Sequence, residues 1–135
     1  MRKLAREIAF EIIFGSEFNK QFDVELSFVS ALNEVEISEE DKQFAKNLVN
    51  LYFENENEIL GIISQKVEKY ELDRVYKVDL ALLKLAVTEI IFYKKTPIAV
   101  VVNEILELAK RYSTENSVKF LNGVLAGAIK DANAR

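Results

Sequence analysis

Apolar residues recur at helical spacing along nearly the whole chain. Leu4, Ala5, Ile8, Ala9 and Ile12 fall three and four apart and predict a first helix with one buried stripe, ending near Gly15 or Phe18. A shorter pattern through Val24, Phe28, Val29 and Leu32 predicts a second, with Asp23 as its amino cap. Ser38 followed by Glu39, Glu40 and Asp41 opens a third, a cap residue and then acids at the positive end of a helix dipole. From Phe44 through Leu48, Leu51 and Tyr52 to Leu60, Ile63 and Val67 the spacing stays helical beyond a typical length, so a break is expected at 55–57. After a turn over 70–76, VDLALLKLAVTEIIFY is apolar almost all round and predicts the most buried helix. Lys94, Lys95 and Thr96 close it, and Pro97 opens a sixth helix from about Ile98 to Tyr112. A polar loop over 113–117 introduces a seventh, where Gly123, Ala126, Gly127 and Ala128 predict close approach of another backbone.

Composition narrows the function more than the fold. With 135 residues, 4 Gly and 1 Pro, one all-α domain spanning 1–135 is expected. No stretch approaches the roughly 20 apolar residues of a membrane span, and the amino terminus has no signal-peptide pattern. A soluble cytoplasmic chain without membrane contact is the expectation. Cys and His are both absent, which removes disulfides, Cys/His zinc sites, thiol nucleophiles and imidazole catalysis. Glycines 15, 61, 123 and 127 form no phosphate-cradling loop, and Glu34, Glu36, Glu39, Glu40 and Asp41 read as a solvated turn with a helix cap. No enzyme activity, cofactor or metal is expected. The net charge of −4 offers no global attraction to phosphate, so a nucleic-acid site must be local.

Two places combine cations with aromatic rings. Arg2 and Arg6 share a face of the first helix, with Lys3 at its edge and Phe10 a turn further, beside the core stripe. This is either a solvated basic helix end or a surface that pairs phosphates and stacks unpaired bases. Phe14 falls opposite the core stripe, which suits a partner surface or packing under the next segment. In STENSVKFLNG the core stripe leaves Lys119 and Phe120 partly spare, so Phe120 is either an edge of the core or a base-stacking ring.

VDLALLKLAVTEI, a single Pro, VVNEILELAKRY and TENSVKFLNGVL resemble, in order and spacing, the carboxy-terminal half of the bacterial NusB transcription antitermination family. AREIAFEIIF resembles that family's ARxxAxxxLF start, and residues 19–60 match only in helical pattern. The resemblance implies about seven helices in two packed sub-bundles, without catalysis. It also implies binding of the boxA element of ribosomal RNA leader transcripts with NusE, a small-subunit ribosomal protein, in the RNA polymerase antitermination complex. Carried over residue by residue, the RNA contacts would be Arg2, Lys3, Arg6, Asn116, Lys119 and Phe120, and the NusE surface Phe14, Phe18 and Asp79.

Two departures stand out. The family's amino terminus often carries more arginines than Arg2 and Arg6, which implies weak RNA binding by this chain alone. An acid common after the family's NGxL is here Ala126. Two other readings remain: a relative of the NusB-like domain of ribosomal RNA cytosine methyltransferases, and a helical module that binds only protein. The catalytic domain of the first needs a cofactor-binding sheet and a Cys nucleophile, and these 135 residues hold neither.

Overall fold

The computed structural model describes residues 2–67 and 72–134. Among them seven α-helices follow one another without a strand: α1 (Lys3–Ser16), α2 (Val24–Asn33), α3 (Glu39–Glu54), α4 (Glu56–Lys66), α5 (Lys77–Val87), α6 (Ile98–Tyr112) and α7 (Glu115–Ala134). A 3-10 turn at Leu72–Arg74 leads into α5, and a π-helical segment, Thr88–Tyr93, prolongs it. Residues 70 and 71 of the expected turn lie outside the described residues.

The helix ends follow local chemistry. Asp23 accepts the Leu26 amide at 3.0 Å and Ser38 accepts that of Asp41 at 3.1 Å, each answering an amide that the helix start leaves unpaired. Asn55 separates α3 from α4, its side-chain amide donating to the Leu51 carbonyl at 2.8 Å. Thr114 accepts the Ser117 amide at 3.0 Å, so α7 starts at Glu115 and the polar loop shrinks to residues 113 and 114. The polar residues over 113–117 are thus largely capping chemistry.

α1 packs between α3 and α5 with α2 against it, while α4, α6 and α7 gather around α5. The two groups, α1–α3 and α4–α7, meet along α5, which is buried from Asp79 to Val87 and on to Ile91 in its π-helical continuation. Leu82, Leu83 and Leu85 are fully covered, and burial of each contributes roughly 1.5–3 kcal/mol. The small residues of α7 do less than expected: a Cβ on Gly123 would meet nothing within 4 Å, and one on Gly127 would meet the Lys66 side chain and no backbone.

Burial of α5 and its continuation takes Glu89 into the core, fully covered, and Arg6 answers it. The guanidinium Nε and Nη2 donate to Glu89 Oε1 and Oε2 at 2.8 and 2.7 Å, and Thr96 Oγ1 donates to Oε2 at 2.6 Å. Burial alone would favour neutral Arg6, but the hydrogen bonds and charge of Glu89 hold it above its ordinary range. Arg6 is therefore not on an exposed basic face: it is 5% exposed, and Phe10 is also buried. The physical reason is that α3 lies over this side of α1, with the Phe44 ring centroid 5.1 Å from the Arg6 guanidinium.

Two stability measurements follow. Gly61→Ala, on the solvent side of α4 with nothing within 4 Å of the added Cβ, is expected to stabilise by roughly 0.5–1 kcal/mol. A higher urea midpoint at unchanged slope would show this, and a lower midpoint would contradict it. Arg6→Ala is expected to destabilise by roughly 3–5 kcal/mol, because it leaves the Glu89 charge buried and unpaired. The double replacement Arg6→Met with Glu89→Leu is expected to recover most of that loss. Unfolding curves of the double variant no better than the single would mean that the shape of the pair, and not its charge, stabilises the fold.

Candidate nucleic-acid interface

The clamp on Arg6 decides what the start of α1 can offer. One turn earlier, Arg2 lies 4.3 Å from the Phe44 ring centroid and donates to the Tyr93 hydroxyl at 3.1 Å. It also lies 3.7 Å from Glu40 and 3.8 Å from Asp41, so it is half-buried and held close to acids. Lys3, on the neighbouring position of the helix, is exposed, with Glu104 at 3.9 Å. Of the three basic residues at this helix start, Lys3 keeps the most of its side chain in solvent.

From Lys3 a groove of about 300 Å³ runs between α1 and α6 to Arg111, past Glu7, Glu104 and Glu107. Arg111 pairs with Glu7 at 2.7 Å yet keeps its side chain largely in solvent. Beside it the Tyr112 hydroxyl donates to Glu7 at 2.6 Å, and this hydrogen bond pushes the phenol up to about 12, fixing it as a donor. Arg111 is a cation that the sequence pattern did not single out, although Lys110 and Arg111 do form a basic helix end.

The second cluster forms where α7 starts against α5. Asp79 is 3% exposed. Its Oδ1 accepts from Ser113 at 2.6 Å and its Oδ2 from Ser117 at 2.7 Å, so one carboxylate ties down both the turn and the first turn of α7. The two serine hydroxyls lie 2.8 Å apart, drawn together by the carboxylate that accepts from both. The resemblance sets Asp79 on the NusE surface; here both of its oxygens are engaged inside, and the residue positions its neighbours. The half-buried Phe120 ring, Asn116 and Asp79 line one cavity of about 270 Å³ with Arg74 and Tyr76. Tyr76 is 66% exposed. Lys119 stands in solvent beside them. Sequence spacing missed Arg74 and Tyr76, because only the packing of α5 on α7 brings them to Phe120.

Farther along the same face of α1 runs an aromatic row. Phe14 stacks on Phe10 at 5.8 Å and meets the edge of Phe18 at 5.0 Å, while Phe10 contacts Tyr112 at 5.1 Å. Phe14 is half-buried against the core and is not an outward ring. Phe18, at 62% exposure, is the apolar group left in water. No group of three or more acids that could hold a metal ion occurs among the described residues, and no helix is long and apolar enough to cross a membrane.

Comparison with known proteins matches this arrangement to one family. The NusB family model covers residues 3–130. The transcription antitermination protein NusB of Finegoldia magna is 35% identical over 129 residues, covering 96% of this chain and 90% of its own. That of Listeria welshimeri is 40% identical over 125 residues, 93% of each chain. Among solved structures, T. maritima NusB superposes with a TM-score of 0.89 at 37% identity, covering 96% of this chain and 91% of the other. A chain from the crystal structure of antitermination factors NusB and NusE in complex with dsRNA superposes at 0.87, with 30% identity over 96% of each. Sequence and fold agree over nearly the full length, and the chain belongs to the NusB family.

Proposed function

We propose that this chain is a non-catalytic antitermination factor that binds boxA-like RNA of ribosomal RNA leader transcripts together with NusE, within the RNA polymerase antitermination complex. The observation that carries this reading is the likeness over nearly the whole chain to NusB as it occurs with NusE and RNA. The geometry supports a division of labour. Lys3, Asn116, Lys119 and Phe120 form the RNA contacts, Lys3 and Lys119 as cations and Phe120 as a ring on which an unpaired base stacks. Arg2 contributes from its half-buried seat on Phe44, and Asp79 acts by fixing the start of α7. Arg6 acts through the fold, holding Arg2 and Lys3 in place.

The charge of this surface explains why a partner is needed. Lys3, Arg2 and Arg111 each stand within 4 Å of a carboxylate, which reduces what each can give to a phosphate. A basic partner that brings its own cations raises the local potential without adding to the cost of ordering this chain. NusE fills that role, and Phe18, with Phe14 behind it, is the apolar anchor that it covers.

Fluorescence anisotropy with a labelled boxA-like RNA tests both surfaces. NusE is expected to tighten binding at least about tenfold, a coupling of roughly 1.4 kcal/mol, and Phe18→Asp to abolish that gain while the weak binding of the chain alone persists. Equal affinity with and without NusE would overturn the cooperative mechanism. Lys119→Ala is expected to weaken RNA binding and to reduce the slope of log affinity against log salt by roughly 0.7, with unchanged helicity. A variant with wild-type affinity and slope would remove Lys119 from the contact surface.

A further inference from the structure

A third cleft, to which no role has been given above, lies between α3 and the end of the π-helical segment. Its volume is about 360 Å³, and Asn47, Asn50, Glu54, Phe92, Tyr93 and Lys95 line it. Phe92 and Tyr93 are half-buried, whereas Asn47, Asn50, Glu54 and Lys95 reach solvent. The backbone explains how aromatic rings come to a cleft at a helix end. The Lys94 amide donates five residues back to the Glu89 carbonyl at 3.0 Å, and Lys94 then takes the left-handed conformation, φ 64°, which stops the helix. The chain turns there, and Lys95 sits with its ammonium 5.6 Å from the Tyr93 ring centroid.

Tyr93 also connects this cleft to the basic start of α1, since its hydroxyl accepts from Arg2. One side chain is thus shared between a candidate phosphate contact and a cavity with aromatic walls. The two walls differ in charge. The α3 side carries two amides and the Glu54 carboxylate, which repels phosphate but accepts from an exocyclic amino group, as carboxylates do at base edges. The opposite side carries Lys95, which suits a phosphate. The volume lies at the lower end of the roughly 300–1,000 Å³ typical of small-ligand sites, room for one nucleotide and not a helix.

We propose, on the RNA-binding reading above, that this cleft holds one unpaired nucleotide flanking the bound RNA element. Its base rests against Phe92 and Tyr93 with its edge toward Asn50 and Glu54, and its phosphate pairs with Lys95. The recognised class is a nucleotide whose base carries an amino group, adenine above all, because the Asn amide matches its donor and acceptor edge. Uracil, which lacks the amino donor, fits less well.

The test uses the full chain with saturating NusE and three labelled RNAs: a boxA-like element, and the same element extended by three adenosines at its 5′ or its 3′ end. One extension is expected to raise affinity at least about fivefold, the lower end of what a single stacked base contributes, and three uridines at the same end to give less. Lys95→Ala and Asn50→Ala, both solvent-side changes, are expected each to remove most of that gain and to leave affinity for the short element unchanged. Lys95→Ala is also expected to lower the salt slope for the extended RNA alone, by roughly 0.7. No gain from either extension, or a gain that survives both substitutions, overturns the cleft assignment while RNA binding stands. Failure of the short element to bind at all overturns the RNA-binding reading, and this proposal with it.

Discussion

The buried pair of Arg6 and Glu89 sets the arrangement of the amino-terminal half. An ion pair taken out of water gains little net stability unless its geometry satisfies the remaining lone pairs. Here that condition is met by two charge-assisted hydrogen bonds at 2.7–2.8 Å, with Thr96 supplying a third donor to the carboxylate. The directional fork of the guanidinium fixes the rotation of α1 against the π-helical segment, and Phe44 beneath it fixes α3. Arg2 follows from the same rotation, seated on the same ring, and Lys3 is turned outward by it. A non-directional apolar contact of equal size would leave that rotation softer.

The molecule spends several of its positive charges internally. Arg6 is enclosed, and Lys84 is enclosed as well, its ammonium 3.3 Å from Glu17 and 5.3 Å from the Tyr52 ring. Burial pushes the Glu17 carboxyl up, and Lys84 with Lys77 opposes this. Tyr52 in turn donates to Glu56 at 2.9 Å, and burial together with that carboxylate raises the phenol further. These groups hold helices to one another and leave a surface with few unopposed cations. An acidic factor that recognises RNA is consistent with such a surface only if recognition is shared, with rings and shape contributed here and positive potential contributed by another chain.

The helices were legible because their signals are local. Asp23, Ser38 and Asn55 mark their boundaries with their own side chains, and the apolar run after Val78 follows from its lack of a polar face. The interface was legible only in part. Helical phase places Arg2 and Arg6 on one face, but it cannot say that Phe44 and Glu89 will cover that face, since neither is near in sequence. Family motifs drew attention to Asp79, Asn116 and Phe120 separately, and only the packing of α7 on α5 makes them walls of one cavity. The π-helical turn was hidden for another reason. TEIIFY continues the apolar pattern without a break, and the Thr88 hydroxyl, donating to the Lys84 carbonyl at 2.6 Å, is compatible with either helix type.

The long span between Arg6 and Glu89 also bears on how the protein is made. The partners are separated by 83 positions, so at about 5–20 residues per second Arg6 is synthesised roughly 4–17 seconds before the carboxylate that pairs with it. During that interval its apolar stripe has only α2 and α3 to lean on, and Arg6 remains hydrated. The amino-terminal helices are thus a waiting assembly, and completion of their group is timed by the arrival of the central helix.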